Sequence, residues 1–136
     1  MASILIVDGD PDVVAAGRIV LEREDHTVLT APDVRAGLRL LEESPPDLVL
    51  VDCMLGGPDG GLRAAREIRE NGFAQPILML SIVDRMTEIY AYQDHDMVSV
   101  GRLDERPMDP AALSKSVKLL LDGGEEASCF WPGGQS

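Results

Sequence analysis

The chain has 136 residues, the size of a single domain that buries its own core without disulfide bonds. Hydrophobic residues make up 45% of it and aromatic residues 4%, so we expect an aliphatic core and no large aromatic ligand pocket. The formal net charge of -12 would repel a phosphate backbone, which argues against direct nucleic-acid binding. Two cysteines without metal-type spacing, no basic leader and no apolar run of membrane-spanning length predict a cytoplasmic protein that does not enter a membrane.

The first predicted unit is a strand followed by a helix. Residues 4–7 are four consecutive apolar residues, typical of a strand buried on both faces, and the run ends at Asp8. Asp10 followed by Pro11 has the pattern of a helix N-cap with proline at the first helical position. The helix then presents an apolar face made of Val13, Ala16, Gly17, Val20 and Leu21.

The second predicted unit begins with an alternating segment. Residues 26–31 alternate in polarity, which predicts a half-exposed edge strand. Asp33 is placed to cap a second helix, which ends at the Pro45-Pro46 pair. The inner face of this helix is predicted to consist of Val34, Gly37, Leu38 and Leu41.

The third unit contains the stretch that is richest in information. Residues 48–51 form a second apolar run, which predicts a buried parallel strand ending at Asp52 and followed by a glycine-rich turn. A carboxylate at the carboxyl end of such a strand is a candidate reactive group, and the alternative is an aspartate that only begins a turn. Asp59 is predicted to begin a third helix that stops at Asn71-Gly72 and turns Ala64, Ala65 and Ile68 inward.

The last two units follow the same scheme. Residues 77–80 are a third apolar run ending in Ser81, and Met86, Ile89 and Tyr90 then have the spacing of a short helical face. Residues 97–103 predict the other edge strand, which precedes Arg106-Pro107. A final helix is predicted from the cap at Asp109-Pro110, with an apolar face made of Leu113, Val117, Leu120 and Leu121.

Five strand signals that alternate with five helix signals predict a doubly wound α/β domain with a five-stranded parallel sheet. The apolar runs belong inside the sheet and the alternating segments at its edges, as in the flavodoxin-like strand order 2-1-3-4-5. The first and third strands are then neighbours where the winding reverses, so Asp8 and Asp52 meet at the crevice in which such folds bind ligands. Ser81 is one strand away, and Arg106 brings a positive charge to the same edge.

In combination, these features resemble the receiver domain of bacterial two-component response regulators over about residues 3–121. The resemblance is carried by Ile4 to Asp8, Pro46 to Asp52, the turn Gly57 to Gly60, Pro76 to Ser81, and Arg106-Pro107. It implies an acceptor of phosphoryl groups from a sensor histidine kinase or a phosphotransfer protein, with an outer helix face that is also a candidate surface for homodimerisation. We expect residues 1–122 to form the receiver domain and residues 123–136 to be a flexible tail or a truncated linker.

The resemblance also implies a role for each polar residue at this edge. Asp52 is the implied phosphoacceptor, Asp8 and the Met54 backbone carbonyl are implied Mg²⁺ ligands beside it, Ser81 is the switch hydroxyl, and Arg106 stands at the phosphate-sensing lysine position. The chemistry requires these types, because a carboxylate that attacks a phosphoryl group needs a hard divalent cation to neutralise the oxygens. A hydroxyl and a cation then bind the new phosphoryl oxygens, which repacks the outer helix face.

Three departures from the family pattern bear on function. Gly9 stands where the family has a second acidic residue, so we expect weak Mg²⁺ binding with Asp10 as the candidate substitute. Arg106 replaces lysine, and its longer, forked side chain is not a conservative exchange at a close phosphate contact. The span from Ser81 to Arg106 is about three residues longer than the family pattern, on the face that receivers use for output.

Other functions fit parts of the sequence. The first is a binding-only pseudo-receiver, in which Gly9 and Arg106 signal the loss of phosphotransfer. The second is a phosphatase of the haloacid-dehalogenase type, whose motif resembles Asp8-Gly9-Asp10, although this reading leaves the Asp52 turn unexplained. A calcium loop beginning at Asp8 is excluded because Val13 stands where that loop needs glycine.

Overall fold

The computed structural model describes residues 2–57, 59–83, 86–93, 96–103, 117–118 and 120–121. Within them the elements are β1 (Ser3–Val7), α1 (Pro11–Arg23), β2 (Thr27–Ala31), α2 (Val34–Glu43), β3 (Leu48–Asp52), α3 (Gly60–Glu70), β4 (Ile77–Val83), β5 (Met86–Gln93) and β6 (Asp96–Leu103). Residues 117, 118, 120 and 121 are also helical and belong to the predicted last helix.

The strands form one sheet in the order β2-β1-β3-β4-β5-β6. The pairs β1–β2, β1–β3 and β3–β4 are parallel, and the register places Val7 opposite Val51 and Asp52 opposite Leu80. The predicted flavodoxin-like α/β fold and the order 2-1-3-4-5 of its first five strands are therefore confirmed, and β6 adds a sixth strand to the predicted five. The alternating strand β2 lies at one edge of the sheet, as its polarity predicted.

The segment after β4 departs from the prediction. Residues 86–90, expected to form a helical face, lie in β5, which pairs antiparallel with β4. Residues 97–103, expected to be a parallel edge strand, lie in β6, which is at the edge of the sheet but pairs antiparallel with β5. The segment from Thr87 to Tyr92 contains β-branched and aromatic residues that favour strands, and a short apolar pattern does not by itself separate helix from strand.

The helices begin where the aspartates predicted. The Asp10 side chain accepts a hydrogen bond from the Asp12 N–H at the start of α1, and the Asp33 side chain accepts one from the Ala36 N–H at the start of α2. Each of these bonds satisfies a backbone donor that the first helical turn leaves unpaired. Helix α3 follows Asp59, which makes no such side-chain bond.

The two faces of the sheet bury separate apolar clusters. Alternate residues of β1 point to opposite faces, with Ile4 and Ile6 in one cluster and Leu5 and Val7 in the other. The first cluster is covered by α1 and the C-terminal helical residues, and includes Val20, Leu21, Leu48, Leu50, Leu78, Val117 and Leu120. The second is covered by α2 and α3, and includes Leu41, Val49, Val51, Ala64, Ala65, Ile68 and Met79. Helices on both faces are what the doubly wound prediction requires.

The five predicted helices are only partly represented in the described residues. Three are present as α1, α2 and α3, the fifth is represented by residues 117, 118, 120 and 121, and β5 occupies the place of the fourth. Among the parts of the chain that the structure describes, no helix combines the length and the apolar character needed to cross a membrane.

Candidate functional site

Asp8 and Asp52 meet at the carboxyl edge of the parallel strands. Asp8 is the residue after β1, Asp52 is the last residue of β3, and the pairing of Val7 with Val51 brings the two strand ends together. The Asp8 side chain is 6% exposed, and it is the one charged residue that is buried within the described ranges. Asp52 is half-buried and lines the cleft at the same edge.

The environment of Asp8 disfavours its charge. Burial is the main cause that raises the pKa of Asp8 above its ordinary value, and a hydrogen bond from the Asp10 N–H offsets part of this effect. The negative charges of Asp52 and Asp10 raise the pKa of Asp8 further. Carboxylates crowded in this way are stabilised by a cation between them, which is the arrangement that hard divalent ions prefer.

The donor atoms at this edge are hard oxygens, but several are already engaged. Oδ1 of Asp8 accepts the Asp10 N–H at 2.9 Å, and Oδ1 of Asp52 accepts the Met54 N–H at 3.0 Å. The Met54 carbonyl accepts the Gly57 N–H at 3.0 Å and keeps one lone pair. Each predicted ligand therefore retains a lone pair for a further bond, and a set of oxygen donors fits Mg²⁺ rather than a soft metal.

The carboxylate set for a metal is small. Within the described residues, no group of three His, Cys, Asp or Glu side chains is arranged to hold a metal ion. Asp10, the predicted substitute for the missing acidic residue, has one oxygen bound to the Asp12 N–H at the helix start. At Gly9 a Cβ atom would meet only the Pro32 carbonyl oxygen, at 3.6 Å, so the chain has room for a side chain there but does not supply one.

The loop that carries Asp52 is held by the start of α3. A Cβ atom at Gly60 would overlap the carbonyl group of Leu55, and one at Gly61 would lie 2.6 Å from the Asp52 carbonyl oxygen. The Gly61 N–H also donates to the Cys53 carbonyl at 2.9 Å. Glycine is required here because the helix backbone touches the loop backbone directly.

A cleft of about 610 Å³ opens above the two aspartates. It extends from the β1–α1 loop, past the start of α2, to one side of α3. Five carboxylates line it, and they belong to Asp8, Asp10, Asp33, Asp52 and Glu67. Among the described lining residues Arg63 is the only cation.

Sequence reasoning did not assign Arg63 and Glu67 to the site. Both lie on α3 with Gly60 and Ala64, at helical spacing that turns one side of α3 toward the cleft. The sequence signal for Arg63 and Glu67 was their helical spacing from Gly60, the glycine that follows the Asp52 turn. This spacing identifies cleft residues only once the packing of α3 on the sheet is known.

The other predicted site residues are described in part or not at all. Ser81 follows Leu80, the residue paired with Asp52, so its backbone lies at the same edge of the sheet. Arg106, with the peptide bond to Pro107, lies outside the described residues. Residues 123–136, the predicted tail, also lie outside them.

Comparison with known proteins shows the family to which this chain belongs. The family described as response regulator receiver domain matches residues 4–116. The chain is 31% identical to the alkaline phosphatase synthesis transcriptional regulatory protein PhoP of Bacillus subtilis, over 92% of this chain and 50% of that protein. It is 29% identical to protein PilH of Pseudomonas aeruginosa, over 90% of this chain and 100% of that protein. The chain thus spans about half the length of the first curated relatives it matches, 50% and 55%.

Solved structures agree with this assignment. A two-component response regulator of the LuxR family from Aurantimonas sp. SI85-9A1 has a TM-score of 0.68 at 28% identity, over 90% of this chain and 86% of that one. The BeF3-activated N-terminal receiver domain of Klebsiella pneumoniae RstA has the same fold, with a TM-score of 0.63 at 22% identity over 88% of this chain and 97% of that one. The chain therefore belongs to the response regulator receiver family, whose members are signalling modules of two-component systems rather than classical enzymes.

Proposed function

We propose that this receiver domain accepts a phosphoryl group on Asp52 from a sensor histidine kinase or a phosphotransfer protein. The observation that carries the proposal is the placement of half-buried Asp52 beside buried Asp8, at the mouth of a cleft large enough for a phosphodonor. Membership of a two-component system implies a histidine kinase as partner, and family members typically bind Mg²⁺. A cytoplasmic location, as predicted from the sequence, is part of this proposal.

The residues of the chain divide the work of the transfer. A free oxygen of Asp52 attacks phosphorus, the bond from phosphorus to the donor nitrogen or oxygen breaks, and its electron pair leaves with the donor. The Met54 N–H holds Oδ1 of Asp52 and so fixes the direction of the attacking carboxylate. Asp8, Asp52 and the Met54 carbonyl would hold Mg²⁺, which neutralises charge on the phosphoryl oxygens when bound. Ser81 and Arg106 are proposed to bind the transferred group.

Acetyl phosphate with Mg²⁺ tests the proposal, with intact-mass analysis before and after hydroxylamine. We expect one phosphoryl adduct that hydroxylamine removes, as an acyl phosphate requires, and no adduct in Asp52→Asn. Asn keeps an acceptor for the Met54 N–H, so the loop is preserved. Asp59→Asn is the matched control, because Asp59 is exposed, lies in the same loop and makes no cap bond. Absence of an adduct with both acetyl phosphate and a cognate kinase would reject phosphotransfer.

Two observations favour a second candidate, a binding-only pseudo-receiver. Gly9 leaves the site one carboxylate short, and Asp10 is engaged at the helix cap. The β5–β6 ribbon also changes the part of the sheet that follows β4, on the side predicted for signal output. An unphosphorylated protein that binds its partner as tightly as a beryllofluoride-treated one would support this candidate.

The haloacid-dehalogenase reading is tested by the same mass experiment. That reading places the nucleophile at Asp8, whose side chain is 6% exposed and whose Oδ1 is bound by a backbone N–H. An adduct retained in Asp52→Asn and lost in Asp8→Asn would support a phosphatase-type nucleophile. The receiver proposal expects the reverse.

A further inference from the structure

Arg63 occupies a position that the receiver chemistry described above does not use. It lies on the side of α3 that lines the cleft, together with Gly60, Ala64 and Glu67. It lies three positions after Gly60, which is about 4.5 Å along the helix axis. Its guanidinium is therefore carried by the first turns of the helix that rests on the Asp52 loop.

The backbone of Arg63 is held firmly relative to Asp52. The close approaches at Gly60 and Gly61 lock the start of α3 against the loop, and the Gly61 position lies in contact with the Asp52 carbonyl. A side chain two residues later on the same rigid helix has a defined distance from the phosphoacceptor. A charge held in place in this way binds an anion near Asp52 more effectively than a charge on a flexible surface segment does.

The Arg63 guanidinium is available for a ligand. Within the described residues it makes no ion pair and no hydrogen bond, whereas Arg18 is paired with Glu22 and Arg69 donates to two backbone carbonyls. Glu67 lies one turn further along and lines the same cleft. An exposed arginine that makes no ion pair can direct its guanidinium N–H groups toward an anion that enters the cleft.

The charge of the cleft shows what this residue can do. An incoming phosphoryl group carries negative oxygens and enters a cleft that five carboxylates line. Repulsion at that range is only partly screened at physiological ionic strength. A guanidinium at the mouth offsets it and binds two phosphoryl oxygens at once, which a point charge does less well.

We propose that Arg63 is a substrate-recognition residue that binds the phosphoryl oxygens of the incoming phosphodonor at the mouth of the cleft, before transfer to Asp52. The inference rests on the proposed phosphoacceptor function and extends it to the donor side of the reaction. Its ligand class is a phosphoryl anion presented at the mouth of the cleft. Arg63 acts on donor binding, and the transfer step itself belongs to Asp52 and the metal ligands.

The test compares Arg63→Gln with Arg66→Gln. Arg66 lies on the same helix, is exposed, is absent from the cleft lining and has Glu70 at the same spacing that Glu67 has from Arg63. The two variants thus lose the same charge, and each leaves a glutamate four residues further along the helix. Rates of acyl phosphate formation are measured against acetyl phosphate concentration at saturating Mg²⁺. For Arg63→Gln we expect the half-saturating concentration to rise roughly three- to tenfold with little change in the limiting rate. For Arg66→Gln we expect values close to wild type, and for Arg63→Lys a partial recovery.

A second pair of titrations does not depend on phosphoryl transfer. Arg63→Gln should weaken the binding of inorganic phosphate in the presence of Mg²⁺, and should tighten Mg²⁺ binding about twofold because a positive charge has left the cleft. A purely structural role would not move the two affinities in opposite directions. Equal phosphate affinity in Arg63→Gln and Arg66→Gln would overturn the inference, whether or not the wild type forms an acyl phosphate. A wild type that binds phosphate through Arg63 but forms no adduct would instead reject only the phosphoacceptor function.

Discussion

The backbone N–H of Asp10 donates a 2.9 Å hydrogen bond to Oδ1 of Asp8, while the carboxylate of Asp10 is turned away to accept the N–H of Asp12. One residue thus holds the buried aspartate in place and starts helix α1. Gly9 carries no carboxylate at the position between Asp8 and Asp10. Asp10 does not replace the missing carboxylate, because its own is engaged at the helix cap. This division of roles is the structural basis on which we predict weak Mg²⁺ binding.

Gly9→Asp is expected to tighten Mg²⁺ binding by roughly tenfold. An added anionic oxygen near a divalent ion contributes on the order of a kcal/mol or more in a partly solvated site. The side chain fits, because its Cβ would meet only the Pro32 carbonyl oxygen at an ordinary distance of 3.6 Å. Without Mg²⁺ the variant should melt at a lower temperature, since three carboxylates repel one another, and Mg²⁺ should restore it. Isothermal titration calorimetry and thermal melting measure both effects.

The matched control for this change is Gly9→Asn, which adds the same volume without the charge. It should leave both Mg²⁺ affinity and metal-free melting near the values of the wild type. Equal Mg²⁺ affinity in Gly9→Asp and the wild type would show that Asp10 leaves its cap and already fills the missing position.

Asp8→Asn is expected to stabilise the metal-free protein at neutral pH. The folded state raises the pKa of Asp8, chiefly through burial, so the folded protein binds this proton more tightly than the unfolded chain does. The contribution of Asp8 to the free energy of unfolding is therefore fully present below the unfolded pKa of about 3.9, and it is lost as the pH rises through the folded pKa. The melting temperature of Asp8→Asn should exceed that of the wild type by a few degrees at pH 7 in EDTA, and the difference should vanish below about pH 4.

Addition of Mg²⁺ should reverse the order of the two melting temperatures, because the wild type has the Asp8 carboxylate to bind the ion and Asp8→Asn does not. The Asn side chain keeps an oxygen acceptor for the Asp10 N–H, so the loop itself is preserved. A stability difference that stays constant between pH 4 and pH 7 would contradict the electrostatic account of Asp8.

Gly60→Ala is expected to destabilise the protein by about 2 kcal/mol or more. Alanine in a helix normally stabilises relative to glycine by up to about 1 kcal/mol, so the sign itself is diagnostic. The reversal follows because the new Cβ would overlap the Leu55 carbonyl group and push α3 away from the Asp52 loop. Urea unfolding measures the change, and the rate of acyl phosphate formation should fall with it.

Gly9→Ala provides the comparison for Gly60→Ala, because it adds the same methyl group in the same cleft where nothing lies closer than 3.6 Å. Its free energy of unfolding should stay within about 1 kcal/mol of the wild type. Similar costs at the two positions would refute the backbone contact as the reason for Gly60.

Arg69→Lys is expected to lower the free energy of unfolding by about 1 kcal/mol or more. Nη1 of Arg69 donates to the carbonyls of Phe73 and Gln75 at 3.0 and 2.8 Å, and the guanidinium carbon lies 5.9 Å from the centre of the Tyr92 ring. Lysine keeps the charge but not the planar fork, so it does not reproduce all three contacts. Because Tyr92 lies on β5, amide hydrogen exchange in β5 should also increase. In the control, Arg66→Lys, both quantities should stay unchanged; a loss of stability as large as that of Arg69→Lys would argue against these contacts.

The sequence alone determined the helices and strands that depend on a few neighbouring residues. It also determined which side chains those elements bring to the carboxyl edge of the sheet. Runs of four apolar residues predicted β1, β3 and β4, and Asp10 and Asp33 predicted the starts of α1 and α2, because burial on both faces and helix capping each act over a few neighbouring residues. Parallel neighbours of this kind bring Asp8 and Asp52 together whatever lies further along the chain.

Only the tertiary structure decided what depends on partners that are distant in sequence. The spacing of Met86, Ile89 and Tyr90 suits a helix, yet the segment pairs with β4. A short apolar pattern is compatible with a helix and with a strand. The choice depends on the neighbouring strand, because β4 supplies hydrogen-bond partners for the backbone N–H and C=O groups of the segment. The pKa of Asp8 depends on its burial and on Asp52, and the place of Arg63 in the cleft depends on how α3 packs on the sheet. These are properties of assembled surfaces, because desolvation and charge coupling act through space rather than along the chain.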